Sequence, residues 1–433
     1  MNSLTIAIPL FFLFLFLANG MPIAFSLAVS GSIGLLLLGG WDVFLGILQT
    51  TSYDSVNSFL LSTIPMFILM ASLMSVSGIM KDLFEAAYKW LGNLPGGLGI
   101  ATVFAGTMMA SVSGSSQASA AVMAKAAAPE MRKYKYSTPF TMGVISMSGT
   151  LAVMIPPSII LILYGILTET GVGSLLIAGI VPGILTALGY IIVIFTWVKL
   201  KPDIAPKISV KPIMKERLQS LKNVWPMLLI IIAVIGGIYS GLVTATEAGA
   251  LGAFVTLVVV FLMRRMDFNK LGLALNDTIK TSTMILTIIF GAHIFSYFLT
   301  MTQVTQKIVM FVEGLDVSRY WILFFIILLY LILGFFMDQI AILILTLPLT
   351  FPIIVSLGFD PIWFGIIVTK TVEIGLVTPP VGMNVFVATG AAGVKMTDGF
   401  KGVTWFVIMD LAILILIICF PAIALWLPGM MIK

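Results

Sequence analysis

TVEIGLVTPPVGMN, residues 371–384, places two consecutive prolines inside an apolar stretch, and SGTLAVMIPPS, residues 148–158, does the same 223 positions earlier. A proline within a helix removes an amide donor and its ring clashes with the preceding turn, so the carbonyls of residues 152–155 and 375–378 lose their helical partners. The two pairs therefore predict interrupted helices over residues 137–170 and 361–392. A simple proline kink is the alternative for either pair, and their equivalent placement favours interruption.

The composition around these segments is that of a membrane protein. Hydrophobic residues make up 60% of the chain and charged residues 9%, against about 45–50% and about 25% in soluble domains. The apolar runs are continuous rather than alternating, and many are long enough to cross roughly 30 Å of hydrocarbon as helices. The first run, Leu4 to Ala18, is predicted to be a membrane helix rather than a signal peptide, because no basic residue precedes it. We expect an all-α polytopic membrane protein.

Few side chains are available for catalysis or for a metal cluster. The single cysteine, Cys419, and the single histidine, His293, both lie inside apolar runs, where packing is the expected role. An enzyme would need a nucleophile with its base or a set of metal ligands, so we expect no enzymatic activity. The net charge of +5 would suggest nucleic acid in a soluble protein. Here the basic residues lie in loops, where they set membrane topology, and no nucleic-acid partner is expected.

A shift of 223 residues also superimposes the apolar spans of the two halves. The spans near 3–20, 22–40 and 57–79 fall on 226–243, 245–263 and 280–302, and Pro129 falls on Pro352. A chance match of apolar spans is the alternative, but the paired prolines at the same spacing favour a duplication.

The duplication predicts two repeats joined by a linker. The first repeat covers 1–198, with scaffold helices over about 1–79, an arm helix at 80–92, a helical hairpin at 99–133, the interrupted helix at 137–170 and a last span at 175–198. The linker covers 199–223. The second repeat covers 224–433, with scaffold helices over 225–302, an arm helix at 303–315, a hairpin at 320–356, the interrupted helix at 361–392 and a last span at 402–428.

Basic residues predict that the repeats face opposite ways. The linker carries seven Lys and Arg residues against Asp203 and Glu216, which places it in the cytoplasm. Residues 131–138 are strongly basic, whereas their counterparts 354–361 carry no positive charge. We therefore expect an inverted-topology repeat with ten spans, two hairpins and both termini outside. Such repeats are typical of secondary transporters that bind their substrate near the bilayer midplane.

Both predicted hairpins break at a polar turn. Residues 111–119, SVSGSSQAS, interrupt the first, and Asp338 lies in an apolar environment at the tip of the second. Irregular backbone at membrane depth requires protein, an ion or a water-lined cavity to satisfy its polar groups, and a carboxylate there marks an ion pathway by default. Ser115 aligns with Asp338 at the shift of 223. A helix cap, or a carboxylate paired with a lysine, is the alternative for Asp338.

These residues carry a family resemblance that covers nearly the whole chain. The turn SGSSQAS, the phrase ATEAGALGA at 245–253, the spacing from Gly334 to Asp338, and FGIIVTKTVEIGLVTPPVGMN resemble the large membrane subunit of tripartite ATP-independent periplasmic (TRAP) transporters, of the ion transporter superfamily. The resemblance implies a transport domain that moves against a fixed scaffold, an elevator, driven by Na⁺. It implies a bacterial inner-membrane location, a separate membrane subunit of four helices, a periplasmic substrate-binding protein, and a small organic anion as substrate.

The resemblance also implies where the ions bind. One Na⁺ site would use Gly334, Asp338, Gly375 and Thr378, and the other the Ser115 turn with carbonyls before Pro156. With the neighbouring hydroxyls and the shift of 223, the predicted site A comprises Ser111, Ser115, Ser148, Ala152 and Ile155, and site B comprises Gly334, Asp338, Thr371, Gly375 and Thr378. Candidate substrate ligands are Ser116, Gln117, Gln339, Asn384 and Lys370.

Several interpretations stay open on the sequence alone. Lys370 and Glu373 are three residues apart, and an ion pair between them on one helix face is the first interpretation of both charges. Asp410 in the last span has no assigned role. The arm helices are either interfacial braces or ordinary surface helices. A stand-alone divalent-anion/sodium symporter is the alternative transporter, and a structural membrane protein is the alternative class. The anion, a C4-dicarboxylate, a sialic acid, another sugar acid or a sulfonate, is not determined.

Overall fold

The computed structural model describes residues 3–54, 57–206, 213–222 and 224–431. Every regular element in these ranges is a helix, which confirms the all-α prediction. Two basic residues of the predicted linker, Lys207 and Lys211, lie outside the described residues. The described part of the linker includes a 3-10 turn at Pro202–Ile204 and a short α-helix, α11 (Met214–Leu221). The Arg217 carbonyl of α11 accepts a hydrogen bond from the indole of Trp90 at 3.2 Å.

Ten helices precede α11 and eleven follow it among the described residues. The first ten are α1 (Ser3–Ala18), α2 (Ile23–Asp54), α3 (Thr63–Ser77), α4 (Ile79–Leu91), α5 (Gly97–Ser113), α6 (Ser116–Lys133), α7 (Thr138–Thr150), α8 (Ile159–Thr168), α9 (Val172–Ala178) and α10 (Ile180–Leu200). The last eleven are α12 (Trp225–Ile231), α13 (Gly237–Tyr239), α14 (Ala245–Leu262), α15 (Phe268–Thr302), α16 (Val304–Glu313), α17 (Arg319–Gly334), α18 (Gln339–Ser356), α19 (Pro361–Val377), α20 (Met383–Ala392), α21 (Met396–Cys419) and α22 (Ala422–Gly429).

Seven helices or contiguous helix runs in the described ranges are long and apolar enough to cross a bilayer, or eight if the bent segment from Met214 to Tyr239 counts as one span. They are Ile23–Tyr53, Phe59–Ser77, Val172–Leu200, Ala245–Leu262, Phe268–Thr302, Gln339–Ser356 and Met396–Cys419. The predicted ten spans also included the shorter α1 and the two interrupted helices, which do not reach this length. One of the seven, α18, belongs to a predicted hairpin instead.

The helix bounds of the two halves correspond at the shift of 223. α6 begins at Ser116 and ends at Lys133, and α18 begins at Gln339 and ends at Ser356, so their bounds coincide. After each of these helices a residue takes a left-handed conformation at the equivalent position, with φ of 60° at Lys135 and 74° at Gly358. In α2 the backbone breaks at Gly40, so that its first part corresponds to α14.

Helices α2 and α3 of the first half pack on α14 and α15 of the second half, in part through small residues. α2 runs along α15, where a side chain added to Gly31 would meet the backbone of Phe295 and one added to Gly291 would meet the carbonyl of Ala24. α3 contacts α14, and the hydroxyls of Thr63 and Thr246 lie 2.7 Å apart between them. Small residues let helix backbones approach closely and support polar contacts between membrane helices.

The hairpins, interrupted helices and last spans form a second set of contacts. α7 lies against α21, where Gly143 and Gly402 meet so closely that a Cβ on either would overlap the backbone of the other. α6 lies against α20, and α17 against α19. Each arm helix, α4 and α16, starts just after a left-handed residue, Gly78 or Gln303, that redirects the chain.

Candidate functional site

Each hairpin turn ends in a residue that caps the returning helix. Ser115 precedes α6, and its hydroxyl oxygen accepts a hydrogen bond from the amide of Ala118 at 3.4 Å. Asp338 precedes α18, and its Oδ1 accepts from the amides of Ile340 and Ala341 at 3.0 and 3.1 Å. The alternative prediction for Asp338, a helix cap, therefore describes its observed contacts. Both bonds use Oδ1, which leaves Oδ2 of the carboxylate for a further ligand.

Both diproline segments interrupt their helices. Residues 151–158 separate α7 from α8, and residues 378–382 separate α19 from α20. The Pro156–Pro157 and Pro379–Pro380 peptide bonds are both cis. At the start of the first break the Leu151 carbonyl accepts from the amides of Met154 and Ile155, and at the second break the Gly375 carbonyl accepts from the amide of Thr378. The prolines that follow have no amide hydrogen to continue either helix.

The second hairpin touches the helix that precedes the second break. A Cβ added to Gly334, at the end of α17, would lie 2.8 Å from the Cα of Gly375 in α19, so the two backbones are in direct contact. The hydroxyls of Thr371 and Thr378 donate to carbonyls of their own helix at 2.8 and 2.6 Å. The structure thus brings Gly334 and Gly375 of predicted site B together. Asp338 follows Gly334 by four residues, and Thr378 follows Gly375 by three.

The first hairpin also approaches the helix before the first break, at positions that do not correspond to Gly334 and Gly375 under the shift of 223. A Cβ added to Gly106 in α5 would lie 2.8 Å from the Cβ of Ser148 in α7. Gly114, at the tip, has a φ of 58° and faces the carbonyl oxygen of Pro157. The remaining residues predicted for site A, Ser111, Ala152 and Ile155, are buried around this contact or in the break.

Four buried polar side chains close a hydrogen-bonded ring between the two hairpins. Gln339 Nε2 donates to Ser116 Oγ at 2.6 Å and to Glu373 Oε1. The Ser116 hydroxyl donates to Asn384 Oδ1 at 3.3 Å, and Asn384 Nδ2 donates to Glu373 Oε2 at 3.2 Å. Both oxygens of the Glu373 carboxylate therefore accept a hydrogen bond from an amide, which offsets the cost of burying it.

This ring assembles three of the five predicted substrate ligands, Ser116, Gln339 and Asn384. The fourth, Gln117, is half-buried and lies next to Ser116 at the start of α6. Sequence reasoning missed the role of Glu373 as the acceptor at the centre of the ring. The shift of 223 pairs Ser116 with Gln339 as the first residues of α6 and α18, but it pairs Glu373 with Thr150 and so gives no signal for the acceptor.

The predicted ion pair between Lys370 and Glu373 is wrong. Lys370 Nζ lies 2.6 Å from Asp410 Oδ1, with side chains that are 2% and 0% exposed, and it donates to Thr186 Oγ1 at 3.2 Å. The Tyr190 hydroxyl donates to the other oxygen of Asp410 at 2.9 Å. Helices α10 and α21 thus offer Lys370 better acceptors than its neighbour one turn away. The same pair accounts for Asp410, which the sequence left without a role.

The arrangement supplies oxygen atoms and helix amino ends but no catalytic set. Carboxylate, hydroxyl and freed carbonyl oxygens are the ligands that hard cations prefer. The amino ends of α6, α8, α18 and α20 follow the hairpin tips and the breaks, and exposed N–H groups at such ends attract anions. A cation and an anion can therefore be held on the same pair of hairpins and breaks.

Comparison with protein families finds one model that spans nearly the whole chain. The model, described as "Tripartite ATP-independent periplasmic transporter, DctM component", matches residues 10–423. The C4-dicarboxylate TRAP transporter large permease protein DctM of Pseudomonas aeruginosa is 36% identical over 93% of this chain and 94% of its own length. The isethionate TRAP transporter permease protein DctMQ of Oleidesulfovibrio alaskensis is 33% identical over 96% of this chain and 65% of its own length.

Among solved structures, a Neisseria gonorrhoeae protein, MtrF, described within a class of antimetabolite efflux pumps, has a similar fold. Its TM-score is 0.55 at 14% identity, over 93% of this chain and 94% of the other. At this level of identity the likeness concerns the fold alone.

Proposed function

This chain is a member of the DctM component family of the tripartite ATP-independent periplasmic (TRAP) transporters, and we propose that it imports a small organic anion driven by the Na⁺ gradient. It is accordingly a multi-pass membrane protein and a large permease, and its named relatives are permeases rather than enzymes. The bacterial inner membrane is the proposed location, with both termini on the periplasmic side. The observation that supports this function most directly is the pair of capped hairpin tips, each set against a helix broken at a diproline.

For the coupling ion we propose two Na⁺ sites. Site B combines the free oxygen of Asp338 with the carbonyls near Gly334 and Gly375 and with the hydroxyl of Thr378. Site A combines the Ser115 turn with the carbonyls freed before Pro156. The hydroxyls of Ser148, Thr371 and Thr378 donate their proton to carbonyls of their own helix, so their lone pairs are available to other ligands.

For the substrate we propose a carboxylate or sulfonate that binds at the amino ends of the helices beyond the tips and breaks. The relatives are named for a C4-dicarboxylate and for isethionate, and both are organic anions. Because Ser116 bonds to Gln339 and Asn384, and both of these amides bond to Glu373, we assign the three residues the role of holding the two tips together. Gln117 and the backbone amides of the helix ends are then the proposed contacts to the anion. Lys370 is removed from the substrate set, since Asp410 neutralises it.

The proposed movement is an elevator. α1 to α4 and α12 to α16 would form the scaffold, and the two re-entrant hairpins, interrupted helices and last spans would move as the transport domain. The close contacts within each set support this division. Inverted orientation of the two repeats is part of the same proposal.

The proposed partners are a separate membrane subunit of four helices, a periplasmic substrate-binding protein that delivers the anion, and the surrounding lipid. A stand-alone symporter would transport without the binding protein. Proteoliposomes with and without that protein therefore separate the two transporter types.

Asp338→Asn is the direct test of the coupling ion. The substitution keeps a capping oxygen for α18 but removes the negative charge from site B, so Na⁺-dependent uptake in proteoliposomes with the partner proteins should fall by at least about tenfold, the factor that about 1.4 kcal/mol represents. Asp360→Asn is the matched control, because Asp360 also caps a helix, α19, at its amino end without lying at a hairpin tip. Unchanged uptake by the Asp338→Asn variant would refute the role given to this carboxylate.

A further inference from the structure

A small cavity separates the first hairpin tip from the predicted scaffold. Its volume is about 190 Å³, and it lies between α3, the tip at residues 113–115, and α15. The polar residues that line it are Ser72, Ser75, Ser113, Ser115, Asp277 and Thr281. Five hydroxyls and one carboxylate thus share a space large enough for a few water molecules or a partly hydrated ion.

Asp277 carries the only charge in this lining. Its Oδ2 accepts a hydrogen bond from the buried hydroxyl of Ser72 at 2.6 Å, which fixes the carboxylate against α3. Within the described part of the chain the ion pairs are Lys133–Glu130, Arg265–Asp82 and Lys370–Asp410. Asp277 belongs to none of them, although Lys280 follows it on the same helix. The charge of Asp277 is therefore available to a mobile cation.

The sign of this charge selects the occupant. Asp277 is an exposed residue in the wall of a partly open cavity, and its carboxylate raises the local concentration of cations there and repels anions. An organic anion in the cavity would be repelled by the Asp277 carboxylate, and the cavity lining contains no lysine or arginine to offset that repulsion. Hydroxyl and carboxylate oxygens are, in contrast, ligands suited to a hard cation such as Na⁺.

The position of the cavity connects it to site A. Ser115 belongs both to the cavity lining and to the predicted site A, and the hydroxyl of Ser113 donates to the carbonyl of Ser115 at 3.0 Å. Asp277 lies near the start of α15, which follows Arg264 and Arg265, and the positive-inside rule assigns this end to the cytoplasm. The cavity therefore joins the Ser115 turn to the side of α15 that the rule assigns to the cytoplasm.

We propose that Asp277 is the anionic ligand of a Na⁺ transit site in this cavity, which the ion occupies between site A and the cytoplasm. This inference rests on the proposed Na⁺ coupling. The ordinary alternative is a solvated carboxylate at the membrane interface, whose substitution would change nothing.

Asp277→Asn tests the transit site in the complete transporter reconstituted with its partner proteins. The substitution keeps the shape and the acceptor for Ser72 but removes the charge. The Na⁺ concentration for half-maximal uptake should rise by roughly tenfold, equivalent to about 1.4 kcal/mol. The substrate KM at saturating Na⁺ should stay within about twofold, because the anion does not occupy this cavity. Asp277→Glu should restore most of the Na⁺ response, and Ser72→Ala, which keeps the charge, should give a smaller shift than Asp277→Asn.

Glu313→Gln is the matched control, because it removes one exposed carboxylate from α16 without touching the cavity. An unchanged Na⁺ response of Asp277→Asn would overturn the transit site, as would a rise in substrate KM with no change in the Na⁺ response. If the unmodified transporter shows no dependence on Na⁺ when choline replaces it, the proposed coupling fails instead. If the unmodified transporter depends on Na⁺ and Asp277→Asn leaves its Na⁺ response unchanged, only the transit site is refuted.

Discussion

At the scale of single residues, the buried charges divide into two separate networks. Glu373 accepts from Gln339 and Asn384 in the ring between the hairpins, while Lys370 pairs with Asp410 on the side of α10 and α21. The two charges are three residues apart on α19, yet each is neutralised or hydrogen bonded by a different group of helices. Because the two networks are separate, α19 contacts the hairpin tips through Glu373 and helices α10 and α21 through Lys370.

Breaking the second network should destabilise the protein strongly. Asp410→Asn leaves the Lys370 ammonium buried without its anion, and removal of one partner of a buried pair costs about 3–5 kcal/mol. We expect a large drop in the melting temperature of the purified protein in detergent. The double substitution Lys370→Met with Asp410→Leu should recover most of it, because neither member of the pair then remains as a buried charge without its partner. Equal melting temperatures for the parent and Asp410→Asn would show that the pair does not contribute as a charge pair.

At the scale of elements, the sequence located the helix breaks but not the partners of their side chains. The diproline pairs mark the breaks because proline cannot donate a helical hydrogen bond, and this holds whatever surrounds the helix. Lys370 was assigned to Glu373 from spacing along one helix, whereas its partner comes from α21, forty residues later in the sequence. Polar contacts between helices depend on how the helices pack, which the pattern of one helix does not contain.

The close contact of α17 with α19 is an element-scale feature that a methyl group can test. A Cβ on Gly375 would lie 2.6 Å from the Cα of Gly334, and overpacking of this kind costs about 1–3 kcal/mol. Gly375→Ala should therefore lower both the melting temperature and Na⁺-dependent uptake by pushing the second hairpin away from site B. Gly390→Ala in α20 is the control, since nothing lies within 4 Å of its added Cβ and alanine favours the helix by up to about 1 kcal/mol. A loss of stability or uptake in the control equal to that in Gly375→Ala would contradict the steric explanation.

At the scale of the whole molecule, the fold class followed from composition and continuous apolar runs. The number of crossings stays a prediction, because the seven or eight described helices that are long and apolar enough to span a bilayer are identified by length and composition alone. α18 is apolar and 18 residues long, so its length does not distinguish a membrane span from one arm of a hairpin. The two turn-capping residues, Ser115 and Asp338, could be found from the repeat, whereas Asp277 could not, because its importance comes from the cavity it faces.

Restraint of the proposed transport domain should stop the cycle without emptying its ion sites. The hydroxyls of Tyr88 in arm helix α4 and Tyr134 beyond α6 lie 2.7 Å apart, across the proposed boundary between scaffold and transport domain. With Cys419 replaced by serine, cysteines at positions 88 and 134 joined by a short bifunctional reagent should abolish uptake. Na⁺-dependent thermal stabilisation of the same sample should persist, since both tips remain intact.

Cysteines at positions 320 and 359 provide the control cross-link. The rings of Tyr320 and Phe359 lie 5.7 Å apart within the proposed transport domain, so this link should leave uptake largely unaffected. Full uptake by the cross-linked 88–134 protein would exclude relative movement at this boundary.

The ring around Glu373 has a thermodynamic consequence for the two halves of the chain. Ser116 belongs to one hairpin and Gln339 to the other, so a change at either tip alters a bond that the opposite tip also uses. By reciprocity of binding free energies, if a ligand at the first tip changes the affinity at the second tip by some factor, a ligand at the second tip changes the affinity at the first by the same factor. In the proposed transporter the two tips would therefore share one equilibrium, and neither proposed site would fill independently of the other.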